Sequence, residues 1–373
     1  MQENNLQNKK RRKKHRRSEN TTLIGSIILC LVTLSAITLC MIMVFKYRSI
    51  QLENTAVLNE LDTIRLEREA TYTQGEVEAL ITSAVDEAVA ENTEETKQEL
   101  LSSIKEKMLS GDGTVAMLQS FFTNDIVLAD GGQFYFIPRS DTLQHHTYEP
   151  SQFVMDANQF MNYYQDGELV SHKGIDVSRY QGRIDWKKVA EDGVEYAFIR
   201  AGIRGYTEGE ILEDETFEDN MKGASRNHIS TGVYFFSQAT SVEEAEEEAA
   251  FVLEKIEPYS VTYPVVIDIE AVSSKNARTA ELTAEERTQY CIAFCEKVKE
   301  AGYTPMIYGN LKTFMLMLDL EQLEEYDKWF ADYDDEIYYP YQFKIWQYTD
   351  SGMIEGIEGE VDMNISFEDL SNE

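Results

Sequence analysis

Apolar positions along the chain change texture several times, and each texture predicts a different element. Residues 23–45 read LIGSIILCLVTLSAITLCMIMVF, an apolar run of 23 residues without a charge. A helix of that length covers a hydrocarbon core of about 30 Å. Next, Ile50, Val57 and Ile64 recur at seven-residue steps, with Leu61 between them. Thr71–Glu76 interrupts this spacing. Val77, Leu80, Ile81, Ala84, Val85, Ala88 and Val89 resume it, and Leu101, Ile104 and Met108 continue it in a polar, Glu-rich background. That pattern predicts a helical stalk over 46–110. Its few interrupted heptads leave a coiled-coil homodimer and a single spacer helix both open.

Gly111-Asp112-Gly113 ends the stalk. Asp130-Gly131-Gly132, between IVLA and QFYFI, predicts a hairpin turn. Residues 111–170 are accordingly expected to form a small β-containing adaptor. From residue 171 onward short β-rich runs alternate with amphipathic stretches. The runs are Gly174–Ser178, Tyr196–Gly202, Gly232–Ser237, Pro264–Glu270, Pro305–Asn310, Lys328–Tyr333, Phe343–Tyr348 and Val361–Ser366. Helices are expected at 241–256, 284–301 and 312–325. Such alternation predicts an α/β fold, a β/α barrel of TIM type. The last three runs are too close together for crossover helices, so the barrel should be irregular at its end.

Charge sharpens the organisation. The formal net charge is −33, yet residues 1–20 carry eight Lys or Arg and only two acids, Glu3 and Glu19. A basic block before an apolar run predicts a single-pass span over 22–45. The tail 1–21 is then cytoplasmic, and everything beyond about residue 46 lies outside the cell membrane. The run ends in bulky Met41-Ile42-Met43-Val44-Phe45, which does not resemble a signal-peptidase site. The strongly acidic remainder would repel phosphate backbones, so nucleic acid is not an expected partner. Cys30 and Cys40 fall in the apolar run, and Cys291 and Cys295 share a helical face, where burial is the expectation.

Polar residues gather at the ends of the predicted strands: Asp176, Asp268, Glu270, Asn310, Asp332 and Gln347. In α/β barrels that rim carries chemistry. The sharpest signal is Asp268-x-Glu270 within Pro-Val-Val-Ile-Asp-Ile-Glu. Residues two apart in a strand face the same way. Burial and mutual repulsion then raise at least one pKa, giving a protonated acid beside an ionised neighbour. This division of labour suits glycoside hydrolysis. A Mg²⁺ or Ca²⁺ site is the alternative use of such a pair.

These residues sit in a longer pattern. Gly174-Ile175-Asp176-Val177-Ser178, Gln181-Gly182, Ile184-Asp185-Trp186 and Phe198-Ile199-Arg200-Ala201-Gly202 open it. Gly232-Val233-Tyr234-Phe235-Phe236, Asp268-Ile269-Glu270, Tyr308-Gly309-Asn310, Trp329-Phe330-Ala331-Asp332-Tyr333, Ile345-Trp346-Gln347-Tyr348 and Val361-Asp362-Met363-Asn364 complete it. In this order they resemble glycoside hydrolase family 25, the lysozymes that act as 1,4-β-N-acetylmuramidases. The resemblance covers the domain assigned to 171–373. It implies a flattened, irregular barrel and cleavage of the β-1,4 bond between N-acetylmuramic acid and N-acetylglucosamine in peptidoglycan glycan strands. It implies Glu270 as general acid, Asp268 as the residue that orients the substrate acetamido group, and Asp176 and Asp362 as the rest of an acidic floor. Tyr234 is placed in the sugar site. Tyr308, Asn310, Asp332, Trp346 and Gln347 are expected to line it, with Tyr333 and Tyr348 as further aromatic candidates for stacking. Arg200 is expected to pair with a rim acid. No cofactor and no metal are implied. A non-catalytic peptidoglycan-binding scaffold on the same fold is the competing reading, and retention of all four acids weighs against it.

Overall fold

The computed structural model describes residues 71–72, 75, 79, 81–83, 94–109 and 113–371, with 275 and 335 excepted. The basic tail, the apolar run 23–45 and most of the predicted stalk lie outside the described residues. All described residues belong to the second of two units, Ile64–Glu373. Among them no helix is long and apolar enough to cross a membrane.

Eight strands close into a barrel: β1 (His172–Val177), β2 (Tyr196–Arg204), β3 (Ser230–Phe236), β4 (Val265–Asp268), β5 (Pro305–Asn310), β6 (Asp327–Ala331), β7 (Ile345–Gly352) and β8 (Val361–Ser366). Pairing is parallel from β1 through β7. Strand β8 runs antiparallel to both β7 and β1 and closes the ring. The expected irregularity therefore takes a definite form. The short β7–β8 connection cannot accommodate a crossover helix, so the last strand returns in the opposite direction.

Helices α1 (Trp186–Glu191), α2 (Phe217–Arg226), α3 (Val242–Ile256) and α4 (Ala284–Glu300) cover the outside. Local chemistry starts the longer two. The Ser241 hydroxyl accepts from Glu244 N–H at the head of α3. Thr283 and Glu286 cap each other reciprocally at the head of α4. Cys291 and Cys295 are buried on α4 as free thiols. The helix expected over 312–325 does not form as one piece. A π-helical turn at Thr313–Met317 is broken by extended Leu318, and a 3₁₀ turn follows at Leu320–Leu323. Asp319 causes the break: its N–H donates to the Thr288 hydroxyl, and its side chain caps Glu321.

Side-chain alternation divides the barrel into two cores. Ile175, Ile199, Val233, Ile267, Ile307, Phe330 and Ile365 face outward into the main core beneath the helices. Tyr196, Phe198, Val266, Met306, Trp329 and Ile345 fill the lumen. The lumen is so full of rings that two strands carry no side chain there. A Cβ on Gly174 would meet the Tyr196 ring at 2.1 Å, and one on Gly232 would meet the Phe198 ring at 2.3 Å.

Ahead of the barrel lies a helix, Thr114–Phe121, then the expected hairpin of Asp125–Asp130 and Gln133–Pro138. Gly131 and Gly132 take positive φ at its turn, which their lack of a side chain permits. This segment packs directly on the barrel: Ile126, Leu128, Tyr135, Ile137, Phe160 and Tyr163 belong to the same core as the outward-facing strand residues.

Candidate active site

Moving two residues toward the strand C-termini from the lumen aromatics reaches the next layer on the same face. From Phe198, Val266, Met306 and Ile345 this step gives Arg200, Asp268, Tyr308 and Gln347. From Gly174 and Gly232 it gives Asp176 and Tyr234. Strand β8 runs the other way, so its step goes back from Asn364 to Asp362. Sequence-distant polar residues thus form one ring because the barrel register aligns them. Asp362 pairs with Asp176 across the β8–β1 ladder, Asp268 with Tyr308, and Tyr234 with Arg200.

Asp176 is buried and heavily anchored. Its Oδ2 accepts from Gln347 Nε2 and from Asn364 Nδ2, both at 2.8 Å. Asn364 Oδ1 accepts in turn from Trp329 Nε1 at 2.8 Å. Gln347 Oε1 accepts from the hydroxyls of Tyr308 at 2.9 Å and Tyr333 at 2.8 Å. Burial pushes the Asp176 carboxyl up, against the pull of these donors. Asp362, within hydrogen-bonding reach of Asp176, is pushed up to about 9 by burial and by the Asp176 charge.

The Asp268–Glu270 pair has the same logic. Burial, then the neighbouring Glu270 and Asp176 charges, hold Asp268 well above the usual carboxylate range. Burial and Asp176 also raise Glu270. Asp268 Oδ1 is buried without a hydrogen-bond partner. Asp268 is the last residue of β4, and Glu270 lies just beyond it rather than inside the strand. Glu270 thereby escapes the ladder and is partly exposed, while Asp268 remains buried. Tyr234 is partly buried within electrostatic reach of Asp176, Arg200, Asp268 and Asp362.

Arg200 makes the expected pairing with an acid, but the acid is Asp214, at 2.7 Å. Burial opposes ionisation of Asp214, yet donors from Thr216 and Arg179 N–H, with the Arg200 charge, hold it below its ordinary value. The Tyr180 ring lies 5.2 Å from the Arg200 guanidinium. Asn310 is exposed, and its Oδ1 accepts from Thr313 N–H. Asp332 and Tyr333 lie one and two residues past the end of β6. Burial pushes Asp332 up to about 6. Asn310, Asp332 and Tyr333 share with Glu270 and Tyr308 the wall of a cleft of about 410 Å³.

Trp346 is not part of this surface. Its parity in β7 is opposite to that of Gln347, so it points outward, is 2% exposed, and donates to the Asp332 carbonyl. Tyr348 has the same parity; it is buried, and its hydroxyl donates to the Gln159 carbonyl. Asn364, Trp329 and Asp214 support the site without having been singled out. For Asn364 the signal was its position two residues after Asp362. Asp214 had none, because it lies in a connection between elements. Among the described residues no three His, Cys, Asp or Glu side chains are grouped to hold a metal ion.

Residues 175–357 match the family model for glycosyl hydrolases family 25. The Escherichia coli K12 protein YegX is 32% identical over 204 residues, spanning 52% of this chain and 68% of YegX. The chain belongs to glycosyl hydrolases family 25. The autolytic lysozyme of Clostridium acetobutylicum is 28% identical over 198 residues, which are 52% of this chain and 55% of that protein. Among solved structures, the autolysin LytC from Streptococcus pneumoniae aligns with a TM-score of 0.48 and 24% identity, covering 65% of this chain and 56% of LytC. The acids Asp176, Asp268 and Glu270 fall within the family 25 match, and Asp362 lies five residues beyond its end.

Proposed function

We propose that the chain is a membrane-anchored muramidase that cleaves the β-1,4 bond between N-acetylmuramic acid and N-acetylglucosamine in peptidoglycan. The observation that carries this reading is the Asp268–Glu270 pair. Two neighbouring carboxyls stand at the open end of the barrel, both pushed up by burial and by nearby acids, and one buried oxygen, Asp268 Oδ1, lacks a partner. The relative from Clostridium acetobutylicum is named a lysozyme, and one from Arthroderma benhamiae an N,O-diacetylmuramidase.

The chemistry follows from the geometry. Glu270 faces the cleft with its carboxyl biased toward the protonated form, so it can give its proton to the glycosidic oxygen as the C1–O bond breaks. A substrate acetamido N–H would satisfy Asp268 Oδ1 and turn the acetamido oxygen toward C1. Attack of that oxygen forms a cyclic intermediate. Water then opens it, adding hydroxyl to C1 and returning a proton to Glu270. Asp176, held in place by its two amide donors, would in its ionised form stabilise the positive charge that develops at the anomeric carbon.

The apolar run 23–45 and the basic block before it support a single-pass anchor with a cytoplasmic N-terminus. Tethering also answers an electrostatic difficulty, since a strongly acidic enzyme is repelled by a polyanionic wall. Holding it at the membrane raises its effective concentration there without attraction by charge. Local remodelling of the producing cell's wall is the activity that fits.

The test is digestion of purified peptidoglycan by the full-length chain, beside Glu270→Gln, with borohydride reduction and mass spectrometry of the products. Reduced muramic-acid ends that fall between about 10²- and 10⁴-fold in the variant support the reading. Reduced glucosamine ends would assign the other glycosidic bond. Sacculus binding without new ends would make the protein a scaffold. Membrane fractionation of the same cells checks the anchor: recovery of the intact chain in the soluble fraction would remove it.

A further inference from the structure

The hairpin Asp125–Asp130/Gln133–Pro138 lies outside the residues that match family 25, yet it reaches the catalytic cleft. Its two faces do different work. Ile126 and Leu128 join the barrel's outer core, while Val127 packs on Leu118 of the helix Thr114–Phe121. The backbone is fixed to the loop after β6. Val127 N–H donates to the Tyr338 hydroxyl at 2.8 Å, and that hydroxyl donates to the Asp125 carbonyl at 3.3 Å. At the hairpin tip, Asp130 Oδ1 meets Lys312 Nζ at 2.6 Å, two residues beyond β5, in a pair that is largely buried. Leu128 and Ala129 are thereby held as one wall of the cleft of about 410 Å³. Glu270, Asn310 and Asp332 line the same cleft.

The lining combines apolar and polar groups, and the space adjoins Glu270. A pyranose matches that combination: its C–H face is apolar, while its hydroxyls and acetamido group need hydrogen-bond partners. The volume falls within the range of about 300–1,000 Å³ usual for small-ligand sites.

We propose that this hairpin is a specificity-determining wall of the glycan cleft, seating the sugar next to the scissile bond between Leu128–Ala129 and Asn310–Asp332. It limits the substituents that this sugar can carry. The identity of the sugar rests on the muramidase reading, whereas the role of the hairpin does not.

Ala129 is exposed and lines the cleft, so Ala129→Trp adds bulk at its edge without entering a core. The experiment measures binding of a peptidoglycan-derived tetrasaccharide to the full-length Glu270→Gln protein, with and without Ala129→Trp. Wild-type turnover of peptidoglycan and melting temperatures are recorded in parallel. The expected result is a loss of affinity of about tenfold with an unchanged melting temperature. Asp130→Asn, which weakens the clamp at the tip, should give a smaller loss in the same direction and decides the matter if Ala129→Trp fails to fold. Unchanged affinity in the folded variants overturns the proposal. Weaker binding in the variants together with no wild-type turnover upholds the cleft wall and removes the muramidase reading. Normal turnover with equal affinities removes the wall alone.

Discussion

Asp362 stands directly across from Asp176 in the antiparallel ladder between β8 and β1, and burial with the facing Asp176 charge pushes Asp362 up to about 9. Gln347 and Asn364 both donate to Asp176 Oδ2, which opposes the upward push of burial on that carboxyl. This arrangement exists only because the last strand reverses direction.

A pH dependence follows. The folded pKa of Asp362, about 9, lies above the unfolded value of about 4. Between those limits the folded protein keeps a proton that the unfolded chain releases. The contribution to stability is therefore fully present below about pH 4 and is lost as pH rises through about 9. Asp362→Asn imitates the protonated form. Its melting temperature should fall less between pH 5 and pH 8 than that of the wild type. Equal falls would show that Asp362 is ionised in the folded protein.

Gln347→Leu should be costly for a different reason. It removes a donor from buried Asp176 and the acceptor for Tyr308 and Tyr333. Each buried group left unpaired costs about 1–3 kcal/mol. Urea denaturation should show a reduced midpoint with an unchanged slope. Activity should fall with it, because an unsupported Asp176 takes up a proton more readily.

Behind the acids lies a buried ion pair that the sequence did not signal. Arg204 Nε donates to Glu248 Oε1, and the Ser237 hydroxyl donates to Glu248 Oε2. Ser237 N–H donates to the Asp268 carbonyl, so the pair supports the strand end that carries Asp268 and Glu270. Burial raises Glu248 to about 7. Arg204→Met leaves that carboxyl without its cation and should destabilise the fold by about 3–5 kcal/mol. Glu248→Gln keeps the hydrogen bond from Ser237 and should cost much less. Chemical denaturation of the two variants gives the comparison, and equal losses would argue against the ion pair.

Trp346→Phe separates a packing role from a sugar-binding role. The indole is buried beneath the outer surface of the barrel, edge-on to Phe153 at 5.4 Å. The substitution should lower the melting temperature and leave KM for glycan unchanged. A rise in KM at constant stability would return Trp346 to the binding surface.

The sequence by itself marked the eight barrel strands, because short β-rich apolar runs bounded by turn residues have few alternatives, but it did not mark the short strands Phe153–Met155, Met161–Gln165 and Ile211–Glu213. It also carried the hairpin turn at Gly131-Gly132 and the acidic candidates at the strand ends, since buried acids on apolar strands are costly without a role. Parity within β7 was legible in principle: Gln347 and Trp346, one residue apart, must face opposite ways. Which of them faced the lumen was not, because that depends on how eight strands close. Tertiary structure alone decided that Asp362 meets Asp176, that Arg200 pairs with Asp214, and that a hairpin from well before the barrel walls the cleft. Each of these contacts joins residues on separate elements, and long-range register is set by barrel closure and core packing, which no local pattern records.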